Sequence, residues 1–176
     1  MQILNKNGKY IIAFDPLDGS SNLDCNVSVG SIFTIWKRTV EGPLEMNEEN
    51  VNDCLRSGRE AIAGIYGFYG ASTVMMICFA GIVNGFTLDV SNFLFILSHP
   101  EVTVSKKGSI YSVNEANYKH WDEPTSRFIN EFKEGECSLR YIGSMVSDVH
   151  RTLLYGGIFM YPADKKVSNL ALTAEL

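Results

Sequence analysis

The chain has 176 residues with 15 basic and 20 acidic side chains, a net charge of −5, 45% apolar residues and 11% aromatics. That composition fits one ordinary folded domain over residues 1–176 and excludes a disordered tail, and the mild acidity without a dense Lys/Arg block disfavours a nucleic-acid partner. Cysteines at 25, 54, 78 and 137 form no CxxC pair, so reduced thiols in a cytoplasmic compartment are expected rather than a disulfide scaffold or zinc ribbon.

Residues 9–14 read as a buried strand, followed by the turn-rich run Asp15-Pro16-Leu17-Asp18-Gly19-Ser20-Ser21-Asn22, which is expected to be a polar loop. Ser21 and Asp24 have capping-box spacing, so a short helix is expected to open there. Residues 27–36 read as a second strand and residues 37–58 as a polar surface connection with one short helix, in which Cys54 is a surface thiol. Residues 61–88 carry no charge and are long enough to cross a bilayer, but Gly64, Gly67, Gly70, Gly81 and Gly85 break them up. Buried strands over 62–79, 82–90, 93–97 and 102–104 are expected instead of a membrane span, with Asn84-Gly85 as the hairpin turn.

Pro124 after Asp122-Glu123 marks a helix start, and Phe128, Ile129 and Phe132 give a helical stripe to about Glu134. A second helix is expected to be capped by Ser144, to place Met145, Val149, Thr152 and Leu153 on one face, and to end at Gly156-Gly157. Residues 165–176 are weakly patterned. Cys25 and Cys78 read as small apolar fillers. His99, His120 and His150 lack ligand spacing.

The chemistry concentrates in residues 15–22. Asp15 and Asp18 stand three apart at the end of an apolar strand, with Pro16 stiffening the backbone between them. Magnesium takes hard oxygen ligands, usually a few carboxylates plus substrate phosphate, and Asp15, the Leu17 carbonyl and Asp18 could supply them. Gly19 lets backbone approach a ligand closely, and Ser20 and Ser21 offer hydroxyls and N–H groups to an anion. An exposed Asp/Ser turn has the same composition, so these residues taken alone leave both readings open.

The run Asp15-Pro16-Leu17-Asp18-Gly19-Ser20-Ser21-Asn22 resembles the metal and phosphate signature of the fructose-1,6-bisphosphatase family, and residues 10–36, 109–115 and 140–166 resemble family blocks in the family's order. Asn22 and Leu139-Arg140-Tyr141-Ile142-Gly143-Ser144-Met145 resemble the fructose branch more than the inositol or sedoheptulose branches. The resemblance implies a mixed α/β (α+β) fold layering helices on sheets. It also implies magnesium-dependent hydrolysis of the 1-phosphate of fructose 1,6-bisphosphate. Asp15, the Leu17 carbonyl and Asp18 would hold the metal, and Ser20 would grip the phosphate being cleaved. Gly19, Ser21, Asn22, Asn114, Arg140, Tyr141, Met145 and Tyr161 would bind substrate. In the family the Arg140 equivalent reaches a neighbouring subunit's site, so a homotetramer is implied.

Three departures lower the expected activity. The family draws further carboxylates from ahead of its first strand, whereas the fourteen residues before Asp15 contain no acid. A Ser-Pro-Asn-Gly-Lys-type run and a late metal-binding Glu are replaced by residues 167–172, with Glu175 out of register. Asn117 stands where the family commonly has Tyr, with Tyr118 adjacent, and Leu94 replaces a typical Glu. Weak magnesium affinity and slow or absent turnover are expected, and the alternative is a truncated, non-catalytic family member that only binds phosphosugar or associates with full-length subunits.

Overall fold

The computed structural model describes residues 5–43, 45, 52–53, 55–163 and 172–174. Cys54, residues 164–171 and Glu175 lie outside the described residues. The fold is mixed α+β, and the chain divides into two compact units, Met1–Asp18 with Gly30–Glu101, and Gly19–Val29 with Val102–Leu176.

The first unit is a six-stranded sheet in the order of the chain: β1 (Tyr10–Asp18), β2 (Val29–Lys37), β3 (Ala63–Tyr69), β4 (Thr73–Phe79), β5 (Ile82–Asp89) and β6 (Leu94–His99). The uncharged stretch 61–88 therefore becomes β3, β4 and most of β5, and no described helix is long and apolar enough to cross a membrane. Short turns join these strands. The tightest is Ala80-Gly81, which connects the paired residues Phe79 and Ile82 with φ of 50° and 79°. Positive φ at both central positions is what a two-residue hairpin needs to match strand twist.

Asn84-Gly85, expected as that hairpin, instead lies inside β5 opposite Ile77 and Met76. Gly85 serves packing: a Cβ there would stand 2.6 Å from Met76 Sδ and 2.9 Å from His99 Cβ. Residues 102–104 form no strand. The polar connection after β2 is anchored by buried Asp53, which accepts from Thr39 N (3.1 Å) and Thr39 Oγ1 (2.6 Å) and pairs with Arg56 at 3.3 Å.

The second unit has a four-stranded sheet of order β10-β9-β7-β8, built from β7 (Ile110–Ser112), β8 (Ser138–Leu139), β9 (Ile158–Tyr161) and β10 (Leu172–Ala174). β7 runs parallel to β8 and β9, while β10 is antiparallel to β9. Two helices, α1 (Glu123–Glu134) and α2 (Met145–Tyr155), supply the connections that parallel strands need. α1 begins as its sequence dictates, with the Asp122 carboxylate accepting from Thr125 N at 2.9 Å and Pro124 in the first turn.

Ile129 of α1 is fully buried against Tyr111, Val113, Trp121 and Met160, with Phe132, Cys137 and Ile158 packed around them. Each such side chain contributes roughly 1.5–3 kcal/mol through burial, which makes this cluster the centre of the unit. α2 ends at Gly156 as expected, but its buried face is Val146, Ser147, Asp148 and Thr152 rather than one led by Met145 and Val149. Four residues, three of them polar, thus pack inward, because the helix buries a hydrogen-bonded network instead of an apolar stripe. Cys25 also departs from expectation: it is exposed, with its thiol against the Asn22 carbonyl at 3.3 Å.

Candidate functional site

Residues Asp15 to Asp18 lie in β1 rather than in a loop. The ladder pairs Asp15 with Ile32 and Asp18 with Gly30, so two intervening residues of β1 oppose the single Ser31 of β2. That is a β-bulge. In a regular strand, residues three apart point to opposite faces; the extra residue reverses the parity and brings Asp15 and Asp18 to the same face. Pro16 lacks an N–H and is tolerated because β1 is an edge strand and the bulge leaves that position out of the ladder.

The bulge is held from two sides. Leu17 N donates to Asp15 Oδ1 at 3.1 Å, and Ser31 Oγ donates to the Pro16 carbonyl at 2.7 Å while also meeting Tyr69 Oη at 3.0 Å. Asp15 is exposed, and Leu17 and Asp18 are half-buried. Two carboxylates on one face plus a backbone carbonyl are hard oxygen donors that fit magnesium, an ion usually held by one or two carboxylates together with phosphate oxygens. No group of three or more His, Cys, Asp or Glu side chains suited to a metal occurs among the described residues.

The next residues belong to the second unit. Gly19 has φ of 79°, and a Cβ on it would stand 2.5 Å from Ser144 Oγ, so both the backbone and the close approach require glycine. A 3-10 helix follows over Ser20–Cys25. It opens on Gly19 without any side-chain cap, so the Ser21/Asp24 capping box does not form; a six-residue 3-10 turn nevertheless stands where a short helix was expected. Ser20 and Ser21 are exposed. Asn22 is a tether, with its Nδ2 donating to the Gly143 carbonyl at 3.0 Å.

The remaining predicted residues are distributed over the second unit. Asn114 opens the 3-10 helix Glu115–His120 and accepts from Ala116 N at 3.2 Å. Arg140 follows β8, is exposed, and places Nη1 2.9 Å from the Leu139 carbonyl. Met145 is the first residue of α2. Burial, and then the charges of Asp148 and Tyr161, push the Tyr141 hydroxyl above the ordinary tyrosine value, so it stays a neutral donor at pH 7. Tyr118, adjacent to Asn117, is turned to α1 instead, accepting from Asn130 Nδ2 at 3.1 Å and lying under the Lys133 ammonium at 5.2 Å.

Sequence reading missed Asp148 and the role of Arg151. Asp148 is fully buried, accepts from Ser112 Oγ (3.1 Å), Ile142 N (3.0 Å) and Gly143 N (3.2 Å), and pairs with Arg151 at 2.8 Å. The only available signal was an acid in the first turn of a predicted helix with an Arg three residues on, a pattern that solvent-exposed helices share.

The model of the fructose-1-6-bisphosphatase N-terminal domain matches residues 1–100, and that of the C-terminal domain matches residues 104–174. The cytosolic fructose-1,6-bisphosphatase of Oryza sativa subsp. indica is 53% identical over 169 residues, covering 92% of this chain and 48% of the relative. That of Brassica napus is 52% identical over 170 residues, 94% of this chain and 49% of its own. Among solved structures, Leishmania major fructose-1,6-bisphosphatase in the T-state superposes with a TM-score of 0.85 at 45% identity, over 94% of this chain and 52% of that one. Its holo form gives 0.82 at 46% identity, over 92% and 51%. The chain spans about half the length of the curated relatives it matches.

Proposed function

The chain belongs to the fructose-1,6-bisphosphatase family, and from that premise we propose that it hydrolyses the 1-phosphate of fructose 1,6-bisphosphate in the cytosol, as a step of gluconeogenic sugar metabolism. Water adds to phosphorus, the bond from phosphorus to the sugar C1 oxygen breaks, that oxygen takes up a proton given up by the water, and fructose 6-phosphate leaves with inorganic phosphate. Magnesium, held by the Asp15 and Asp18 carboxylates and the Leu17 carbonyl, would supply charge neutralisation and a more acidic water. Gly19 allows the backbone to approach the reacting phosphate, and the exposed Ser20 and Ser21 donate to its oxygens. Arg140, Tyr141, Asn114 and Tyr161 take the other phosphate and Met145 borders the sugar, with Arg140 serving a neighbouring subunit's site in a homotetramer. Asn22 acts by holding the turn to the lead-in of α2.

The single observation that carries this reading is the bulge in β1, which puts two carboxylates on one face. One observation favours a second reading, in which the chain only binds phosphosugar or associates with full-length subunits: the bulge of β1 presents two carboxylates, which are few for phosphoryl transfer. Phosphate release from fructose 1,6-bisphosphate, followed against magnesium concentration, separates them. The catalytic reading expects slow, magnesium-dependent release that Asp18→Asn lowers about a hundredfold or more. Release absent from both proteins, with fructose 6-phosphate still bound, establishes the second reading instead.

A further inference from the structure

We propose that Asp148 and Arg151 form a positioning pair that presents Arg140 and Tyr141 to a sugar phosphate; the inference rests on the reading of those two residues given above. The connector of residues 140–143 is exposed, with Tyr141 at 37% and Ile142 at 45%, so packing alone does not hold it. Its backbone is held instead. Arg140 N donates to the Tyr111 carbonyl at 3.0 Å, continuing the strand pairing of β8. The Arg140 carbonyl accepts from Arg151 Nη2 at 2.9 Å. Ile142 N and Gly143 N both donate to the Asp148 carboxylate, at 3.0 and 3.2 Å, and the Gly143 carbonyl accepts from Asn22. Five backbone groups in four residues are thus fastened, three of them by this one ion pair.

The pair is itself anchored to rigid parts. Ser112 Oγ on β7 donates to Asp148 Oδ1 at 3.1 Å, and Thr152 Oγ1 donates to the Asp148 carbonyl at 2.8 Å. Asp148 also sits in the first turn of α2, where the helix dipole favours an anion. Taking a carboxylate wholly out of water is costly, and well-packed apolar residues often stabilise as much as a buried pair does. A buried pair that fastens an exposed connector therefore makes better sense as a device for geometry than as a source of stability. It holds the backbone still while the Arg140 guanidinium and Tyr141 hydroxyl remain available, which lowers the ordering cost of binding.

The full chain is titrated with fructose 6-phosphate and followed by amide NMR shifts, alongside hydrogen exchange and a thermal melt. In Asp148→Asn, a side-chain NH2 faces one of two N–H donors. We expect binding to weaken about tenfold, the size of one lost charge-assisted hydrogen bond. Exchange at Ile142 and Gly143 should speed up on the order of tenfold while the later amides of α2 keep their protection. Arg151→Lys keeps the ion pair but cannot serve the Asp148 carboxylate and the Arg140 carbonyl together, so a smaller weakening with a cooperative melt is expected. Should Asp148→Asn unfold, Arg151→Lys decides alone. If the unmodified chain binds and the folded variants bind as tightly with unchanged exchange, the positioning role is wrong while the reading of the site stands. If the unmodified chain shows no shift at Arg140 and Tyr141, the reading of the site falls and takes this proposal with it.

Discussion

Ser144 occupies the N-cap position of α2, yet its side chain caps nothing: the hydroxyl is fully buried, directed at Gly19, and makes no hydrogen bond among the described residues. An ordinary Ser cap loses about 0.5–2 kcal/mol when replaced by Ala. Ser144→Ala is expected to fall below that range, or to stabilise, because it removes an unpaired buried hydroxyl. Gly19→Ala should cost about 1–3 kcal/mol or more, since it adds both a left-handed backbone and an overlap with Ser144. Chemical denaturation of the two variants checks the pair, and equal losses would contradict the geometry. Glu115 offers a pH test. Burial raises its pKa, but the hydrogen bonds from Lys133 (2.9 Å) and Tyr111 (2.8 Å) outweigh burial, and the folded value lies below the ordinary 4.5. A depressed carboxylate stabilises above its unfolded pKa and loses that contribution as pH falls through the folded one. The stability gap between the native chain and Glu115→Gln should therefore be full at pH 7 and shrink below about pH 4.5. Tyr111 has the opposite sign. Burial and then Glu115 push it up to about 12, so its contribution is present below pH 10 and lost as pH rises toward 12. Thermal melts across pH read both windows.

At the scale of elements, the bounds of the two α-helices are where local sequence and tertiary structure agree. α1 starts at its Asp/Pro signal and runs to Glu134, because capping and period act within a few residues. Strand ends agree less well. β1 runs on through Pro16 to Asp18, since an edge strand with a bulge tolerates a residue that a central strand would reject. The hairpin signal at Asn84-Gly85 is overridden because Gly85 is needed where Met76 and His99 crowd the sheet, and the turn falls on Ala80-Gly81. Ala80 then holds φ of 50°, a conformation that costs an alanine about 1 kcal/mol. Ala80→Asn or Ala80→Gly is expected to raise stability by about 0.5–1 kcal/mol, and an unchanged or lower melting temperature would count against a turn of this type.

At the scale of the whole molecule, the first unit leaves much apolar surface in water. Tyr10, Ile12 and Phe14 share one face of the edge strand β1 and are 58%, 57% and 63% exposed. Leu94, Phe95, Ile96 and Leu97 are all exposed on the opposite edge, β6. Uncovered apolar edge strands invite pairing with other chains. The purified chain is expected to associate as its concentration rises, and Ile12→Lys should shift sedimentation toward the monomer; a monodisperse monomer at all concentrations would refute this. The sequence by itself determined where polarity, charge and turn residues fall. It therefore determined the two helices and the uncharged block that became sheet, since each depends on neighbours a few positions away. Only the tertiary structure decided that Asp15 and Asp18 share a face, because that parity is set by pairing with β2. It alone decided that Asn22 is a tether and that Asp148 and Arg151 fasten the connector carrying Arg140, because those contacts join residues up to 121 positions apart.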